Sequence, residues 1–308
     1  MESRTVSSPS SPNAPRVTVG ISERDRRRNV RPTVVGALRR SWNDRELLLN
    51  FVQRDLRARY RRSIIGWGWA MVNPAVTTAV YGFVFAVFFK ITPKPGDPSG
   101  LKVFAFYLLA GILPWNVLQN GVNIGIGSLL GGGGMMQKVY FARDHLVGGP
   151  VYAMVVSFLI ELSVLATLEL VTGHFMLHLI PIVLILVVLL SQFTMGIALL
   201  FAALNVRYRD VQHITSVSFL VWFYLTPIIY PVERIPERAL FHGMNLPLRS
   251  IFMLNPMARF VQAFRNCFFD IRPPGINSIL ALTAVSFITF FVGYRFFIRR
   301  APWFVEEL

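Results

Sequence analysis

Two carboxylates, Glu161 and Glu169, interrupt an apolar run that extends from about residue 146 to residue 172. An ionisable group at membrane depth is costly, so each should face a bundle interior or an aqueous path. Their spacing places them two helical turns apart and broadly on one face. Two uses are open: a substrate or proton pathway, or carboxyls satisfied by Ser, Thr or backbone groups at a helix contact. A proton-coupled carrier would make both central, yet no Lys, Arg or His stands inside the apolar runs as a partner. A second chemistry is aromatic. Phe219, Trp222, Phe223, Tyr224 and Tyr230 cover several faces of one apolar segment, so some of them must face protein. Most aromatics in such a chain serve lipid contact, core packing or interfacial belts. Ring faces also stack on sugar rings, and a path lined by them would let a glycan slide without tight stops. A third is basic: Arg54, Arg57, Arg59, Arg61 and Arg62, with Arg45 upstream, run without a linker into the apolar stretch that continues to Phe89.

Motifs for covalent or nucleotide chemistry are missing. There is no H-E-x-x-H and no G-x-S-x-G, and the run Gly131–Gly134 before Lys138 lacks the Gly-Lys-Ser/Thr of a phosphate loop. The histidines (His145, His174, His178, His213 and His242) do not cluster beyond His174 and His178, which suit a solvated outer loop. The single cysteine, Cys267, excludes an intrachain disulfide and a Cys-based zinc cluster. The expectation is no catalytic, metal or cofactor site in this chain.

The elements that must position these groups are membrane helices. Of the 308 residues 54% are hydrophobic and 15% charged, more apolar surface than a soluble domain of this size can hide. The net charge of +15 gathers before the first span, where it meets anionic lipid, so nucleic acid is a poor partner. Residues 1–40 are rich in Ser, Pro and Arg with no apolar h-region, and read as an uncleaved disordered cytoplasmic tail. In residues 41–62, Leu48, Val52, Leu56 and Tyr60 recur at helical spacing opposite the arginines, an amphipathic helix suited to the headgroup region. Spans of roughly 20 apolar residues are expected at about 64–89, 103–125, 146–172, 179–204, 212–231 and 277–298, within a domain of residues 63–300. Residues 301–308 are left as a cytoplasmic C-terminus.

Segment 232–276 does not span. Asn255 caps and Pro256 opens a helix there. Met257, Phe260, Val261, Phe264 and Phe268 form its apolar stripe, with Arg259 and Arg265 off it. Fifteen or so residues with two arginines suit a re-entrant or interfacial helix. Basic groups before the first span, at Lys138 and Arg143, at Arg207 and Arg209, and at Arg295, Arg299 and Arg300 all fall in the cytoplasm only with an even number of spans. Six satisfies this, with both termini cytoplasmic. The loop QKVYFARDHL then offers Tyr140 and Phe141 as exposed aromatics that would anchor a partner protein, or serves as a topogenic linker.

Taken together, RDLRARYRRSIIGWGWAMVNP, LLAGILPWNVLQN, KVYFARD, NVRYRD, LTPIIYP and LNPMARFVQAFRN, in this order from about residue 45 to residue 300, resemble the membrane subunits of ABC-2 type polysaccharide exporters, the Wzm-like O-antigen and teichoic-acid permeases. The resemblance implies an all-α, six-span permease of the type V exporter fold in the plasma membrane. It would work as a homodimer with a separate ABC ATPase subunit that holds ATP and Mg, exporting a lipid-linked polysaccharide. It implies a coupling element at Gln137, Lys138, Tyr140, Phe141 and Arg143. An interfacial helix would carry Arg54, Arg57, Arg59, Tyr60 and Arg61 toward substrate headgroups, and short outer gate helices would include Asn255, Pro256, Arg259 and Arg265. The channel candidates are then Phe219, Trp222, Phe223, Tyr224, Tyr230, Glu161 and Glu169. Two features depart from the family pattern: Ala142 where Pro is usual, and the flexible Gly131–Gly134 run ahead of the coupling element.

Arginine far outnumbers lysine (Lys90, Lys94, Lys102 and Lys138 only), as in GC-rich actinobacterial genomes, which makes a cell-wall galactan a candidate substrate. The competing readings are an ABC-2 drug or small-lipid exporter, a proton-coupled carrier, and a membrane-embedded glycan-modifying enzyme.

Overall fold

The computed structural model describes residues 34–60, 66–84, 94–134, 141–237, 239–241 and 244–307. Arg61, Gln137, Lys138, Tyr140 and most of the N-terminal tail lie outside the described residues. Among the described residues eleven α-helices follow one another: α1 (Val34–Asn43), α2 (Arg45–Tyr60), α3 (Trp69–Phe83), α4 (Phe104–Gly131), α5 (Asp144–Val171), α6 (Ile180–Arg207), α7 (Val211–Leu225), α8 (Leu248–Leu254), α9 (Pro256–Phe268), α10 (Ile276–Arg300) and α11 (Phe304–Glu307).

Among the described residues, three helices are long and apolar enough to cross a bilayer: Asp144–Val171, Leu177–Arg207 and Ile276–Trp303. This is a helical membrane protein. Helix α4 has 28 residues, about 42 Å at 1.5 Å per residue, enough length to cross, but polar amides interrupt it. Helix α7 was expected to reach residue 231 and stops at Leu225. The cause is local: Pro227 disfavours a helical conformation at the residue before it, and Thr226 is extended, with φ −102° and ψ 127°.

The fold is all-helical as expected, apart from one short ladder in segment 232–276, where β1 (Ala239–Phe241) pairs antiparallel with β2 (Met244–Leu246). One further expectation is corrected. The stretch read as a tail to residue 40 is helical from Val34, with Val34 itself buried. At the other end Phe304 is buried against Phe297, so the C-terminus is anchored to α10.

Helix α4 is the centre of the bundle, packed between α5, α6 and α9, with α10 on the outside of α6. Small residues set these seams, as they do where lipid gives helices no hydrophobic reason to associate. A Cβ at Gly125 of α4 would lie 2.9 Å from the Ala198 Cβ of α6, and one at Gly121 would lie 2.8 Å from the Thr194 methyl. Helix α2 closes on α5 in the same way, since a Cβ at Gly149 would fall 2.7 Å from the Phe51 Cβ.

Candidate transport path and outer gate

The basic helix α2 is two-sided. Phe51 and Val52 are buried against the bundle while Arg54, Arg57 and Arg59 are exposed. Arg54 pairs with Asp55 at 2.9 Å and lies over the Phe51 ring, and Tyr60 closes the helix. Phe141 was expected to be an exposed anchor. It is half-buried instead, its ring 5.7 Å from that of Phe51, because the loop returns to the bundle there to start α5. Arg143 is the residue before α5. The same corner holds a histidine with no role assigned from sequence. His145 is buried, 2.9 Å from the Ala142 carbonyl through Nδ1 and 3.4 Å from the Ser41 hydroxyl through Nε2. Tyr294 of α10 donates to Asp144 at 3.1 Å. The foot of the loop is therefore tied to α1, α2 and α10.

Glu161 and Glu169 do not share one environment. At about 100° per residue, eight positions rotate one 80° from the other. Glu169 continues the buried stripe of Phe158, Leu162 and Leu165, and is itself fully buried. Neither of its carboxyl oxygens has a hydrogen-bond partner among the described residues. Glu161 is half-buried on the flank, within electrostatic reach of Arg59. Sequence reasoning found no cation for it because Arg59 comes from α2, outside the apolar runs.

The α7 aromatics divide as well. Phe219 is buried, Trp222 and Phe223 are half-buried and Tyr224 is exposed. The first three pack on Trp115 of α4, with ring centroids 5.9, 5.8 and 5.5 Å away. Trp115, 1% exposed, is the hub, and only its place in the LPWNV motif pointed to it. Tyr230 lies past the helix; its hydroxyl donates to the Tyr224 carbonyl at 2.9 Å.

From this cluster hydrogen bonds run on into the segment expected to form the gate helices. Asn255 Oδ1 accepts from the Met257 N–H at 3.0 Å, the helix cap expected from sequence. It also accepts from Trp222 Nε1 at 2.9 Å, and its Nδ2 donates to the Thr226 hydroxyl at 2.9 Å. Pro256 opens α9, and Arg259 Nε donates to the Met253 carbonyl at 2.7 Å, closing the end of α8. Arg265 departs from expectation most. Read as lying off the apolar stripe, it is 1% exposed. Its guanidinium donates to the carbonyls of Tyr107 (3.3 Å), Pro227 (2.6 Å) and Ile228, and lies 3.7 Å from the centroid of the Tyr107 ring. Gly111 makes the room: a Cβ there would fall 2.9 Å from Arg265 Nη2. The loop before α4 closes the far end of α9, where the Ser99 hydroxyl donates to the Phe269 carbonyl. The LPWNV, LTPIIYP and LNPMARF motifs are thus one physical module.

Cys267 sits inside it. Burial, reinforced by the carboxyl of Glu169, pushes its thiol up to about 12. The thiolate is the nucleophile, so at pH 8 the buried thiol stays in its unreactive form. The folded protein is expected to resist maleimide at pH 8 and to react fully once unfolded in SDS, followed by mass shift. Rapid labelling of the folded protein would contradict the closed packing of α9.

The ABC-2 type transporter family profile matches residues 46–269 of this helical membrane bundle. The chain belongs to the ABC-2 type transporter family. It is 28% identical over 276 residues to the O-antigen export system permease protein RfbA of Myxococcus xanthus, covering 89% of this chain and all of that one. It is 27% identical over 268 residues to an O-antigen export system permease protein RfbA of Klebsiella pneumoniae, covering 85% and 95%.

Proposed function

We propose that this chain is the membrane subunit of an ATP-driven exporter that moves a lipid-linked polysaccharide from the cytoplasmic to the outer side of the plasma membrane, a cell-wall galactan being the candidate polymer. It works as a six-span homodimer with both termini cytoplasmic, each copy docked to an ABC ATPase subunit that carries ATP and Mg. The observation that carries this reading is the gate module. Residues 107–115, 222–228 and 255–265 hold one another by hydrogen bonds and ring contacts, and the likeness to O-antigen export permeases over 89% and 85% of this chain supports the substrate class.

In this reading Arg54, Arg57, Arg59 and Arg61 meet the acidic headgroup of the lipid carrier at the cytoplasmic mouth. The loop from Gln137 to Arg143 couples to the ATPase, with Phe141 as its root on α2 and Gln137, Lys138 and Tyr140 as its contact surface. The test is co-purification with an ABC ATPase, together with glycan measured on both sides of the membrane in depleted cells. Glycan should accumulate inside. Undiminished glycan export in depleted cells overturns the proposal.

The coupling role has its own check. Tyr140→Ala should lower the ATPase stimulation of the assembled complex several-fold, with the permease dimer still eluting at its folded size. Full stimulation in that variant removes Tyr140 from the coupling surface.

A further inference from the structure

The faces that α6 and α10 turn outward are what lipid demands. Leu184, Ile185 and Val188 on α6, and Leu280, Phe287, Ile288, Phe291 and Val292 on α10, are exposed and apolar. Helix α4 breaks the rule. Between Pro114 and Leu129 its residues that are not buried are Asn116, Gln119, Asn120, Asn123, Ile124, Gly127 and Ser128. Only Ile124 carries an apolar side chain there. Asn116, Asn120, Asn123 and Gly127 follow one another at steps of four, three and four, one continuous stripe of a helix. It runs for roughly 16 Å at 1.5 Å per residue.

A carboxamide facing hydrocarbon leaves donors and acceptors unpaired, at several kcal/mol for each group. Four within one helical stretch cannot be turned to lipid. The stripe also has room in front of it, since a Cβ added at Gly127 would meet nothing within 4 Å. Asn123 Oδ1 is buried with no hydrogen-bond partner among the described residues. At its outer end the stripe meets the aromatic hub: Trp115 Nε1 donates to Gln119 Oε1 at 3.0 Å, while the half-buried Trp222 and Phe223 flank Trp115.

We propose that the stripe Asn116–Asn120–Asn123, with Gln119 at its edge, is the hydrophilic wall of the transport path, a track of carboxamides that hydrogen-bonds the hydroxyl groups of a neutral sugar polymer as it passes toward the outer gate. The chemistry fits that ligand. A sugar hydroxyl both donates and accepts, and a carboxamide offers one acceptor and two donors without charge. Each contact is replaced by an equivalent one as the chain advances. A charged wall would instead hold ions and repel or trap the carrier phosphate. The assignment deepens the polysaccharide reading above and rests on it for the identity of the ligand.

The test uses the full exporter with its ATPase in inside-out membrane vesicles. Single cysteines replace Asn116, Asn120 or Asn123, with Leu184→Cys and Ile288→Cys as lipid-facing controls and Cys267 left in place as the measured background. A charged, membrane-impermeant methanethiosulfonate should label the stripe at least tenfold faster than the controls. Equal rates overturn the proposal. So does oxidative cross-linking of Asn120→Cys between two copies with no labelling, which makes the stripe a subunit contact. For the ligand, replacing Asn116, Asn120 and Asn123 together by Leu should cut glycan export at least tenfold with ATPase assembly unchanged, and replacing them by Ser should restore most of it. Fast labelling with normal export in the Leu variant overturns the track. If the unsubstituted exporter moves no glycan while the stripe still labels fast, the polysaccharide reading fails and the wall remains.

Discussion

Arg265→Met is expected to destabilise the folded permease by about 2–5 kcal/mol, the cost of leaving buried carbonyl acceptors without their donor. The guanidinium is the donor to three carbonyls from two separate segments, Tyr107 in α4 and Pro227 with Ile228 after α7. Methionine fills much of the volume but donates nothing, so the carbonyls of Pro227 and Ile228 lose this donor and that of Tyr107 loses one of its contacts. Each such group costs about 1–3 kcal/mol when left unsatisfied, and the contact with the Tyr107 face is lost as well. The readout is the thermal midpoint of the purified protein, paired with passive ion leak through proteoliposomes as a measure of gate closure. A midpoint unchanged from the parent would sink the argument.

Two companion variants separate charge from geometry. Arg265→Lys keeps the cation but has a single ammonium where a planar fork spans two segments, so it should recover only part of the stability. Gly111→Ala leaves Arg265 intact and presses on it, because the new Cβ would lie 2.9 Å from Nη2. A leak in Gly111→Ala with near-normal stability would locate the defect in the latch itself.

Apolar run length located the three described helices that are long and apolar enough to cross a bilayer, because bilayer thickness and helical rise leave little choice. It misjudged α7 because Pro227 ends a helix for a local backbone reason that no apolar count registers. Asn255–Pro256 was legible, since a cap and its helix are neighbours in sequence. Arg265 was not, because its partners lie 37, 38 and 158 positions away. A stripe of apolar residues identifies one buried face and is silent about a second. Likewise the periodicity of α5 placed Glu161 and Glu169 together although 80° of rotation divides core from flank. The amides of α4 were visible as letters, but their meaning required knowing which residues around them are buried.

Gly293→Leu is expected to leave no stable permease in the membrane, and even Gly293→Ala should cost about 3 kcal/mol or more. An Ala substitution within a helix would ordinarily gain up to about 1 kcal/mol by restricting the unfolded chain. At Gly293 the sign reverses, because the helices α6 and α10 touch backbone to backbone. A Cβ there would overlap the Gly196 carbonyl, and one at Gly196 would lie 2.6 Å from the Thr289 carbonyl and the Phe290 nitrogen. No rotamer relieves a clash with backbone, so the helices must part and lose the packing that replaces lipid between them. Gly131→Ala is the control, since its Cβ meets nothing within 4 Å; it should be neutral or slightly stabilising. Equal midpoints for Gly293→Ala and the parent would show that the seam yields. The seam also reaches the foot of the loop before α5. Tyr294, the next residue, donates to Asp144 at the start of α5, directly after the loop assigned to ATPase coupling. Parting α10 from α6 therefore pulls on the foot of that loop, and whatever Gly293→Ala protein folds should also show weaker ATPase stimulation than Gly131→Ala.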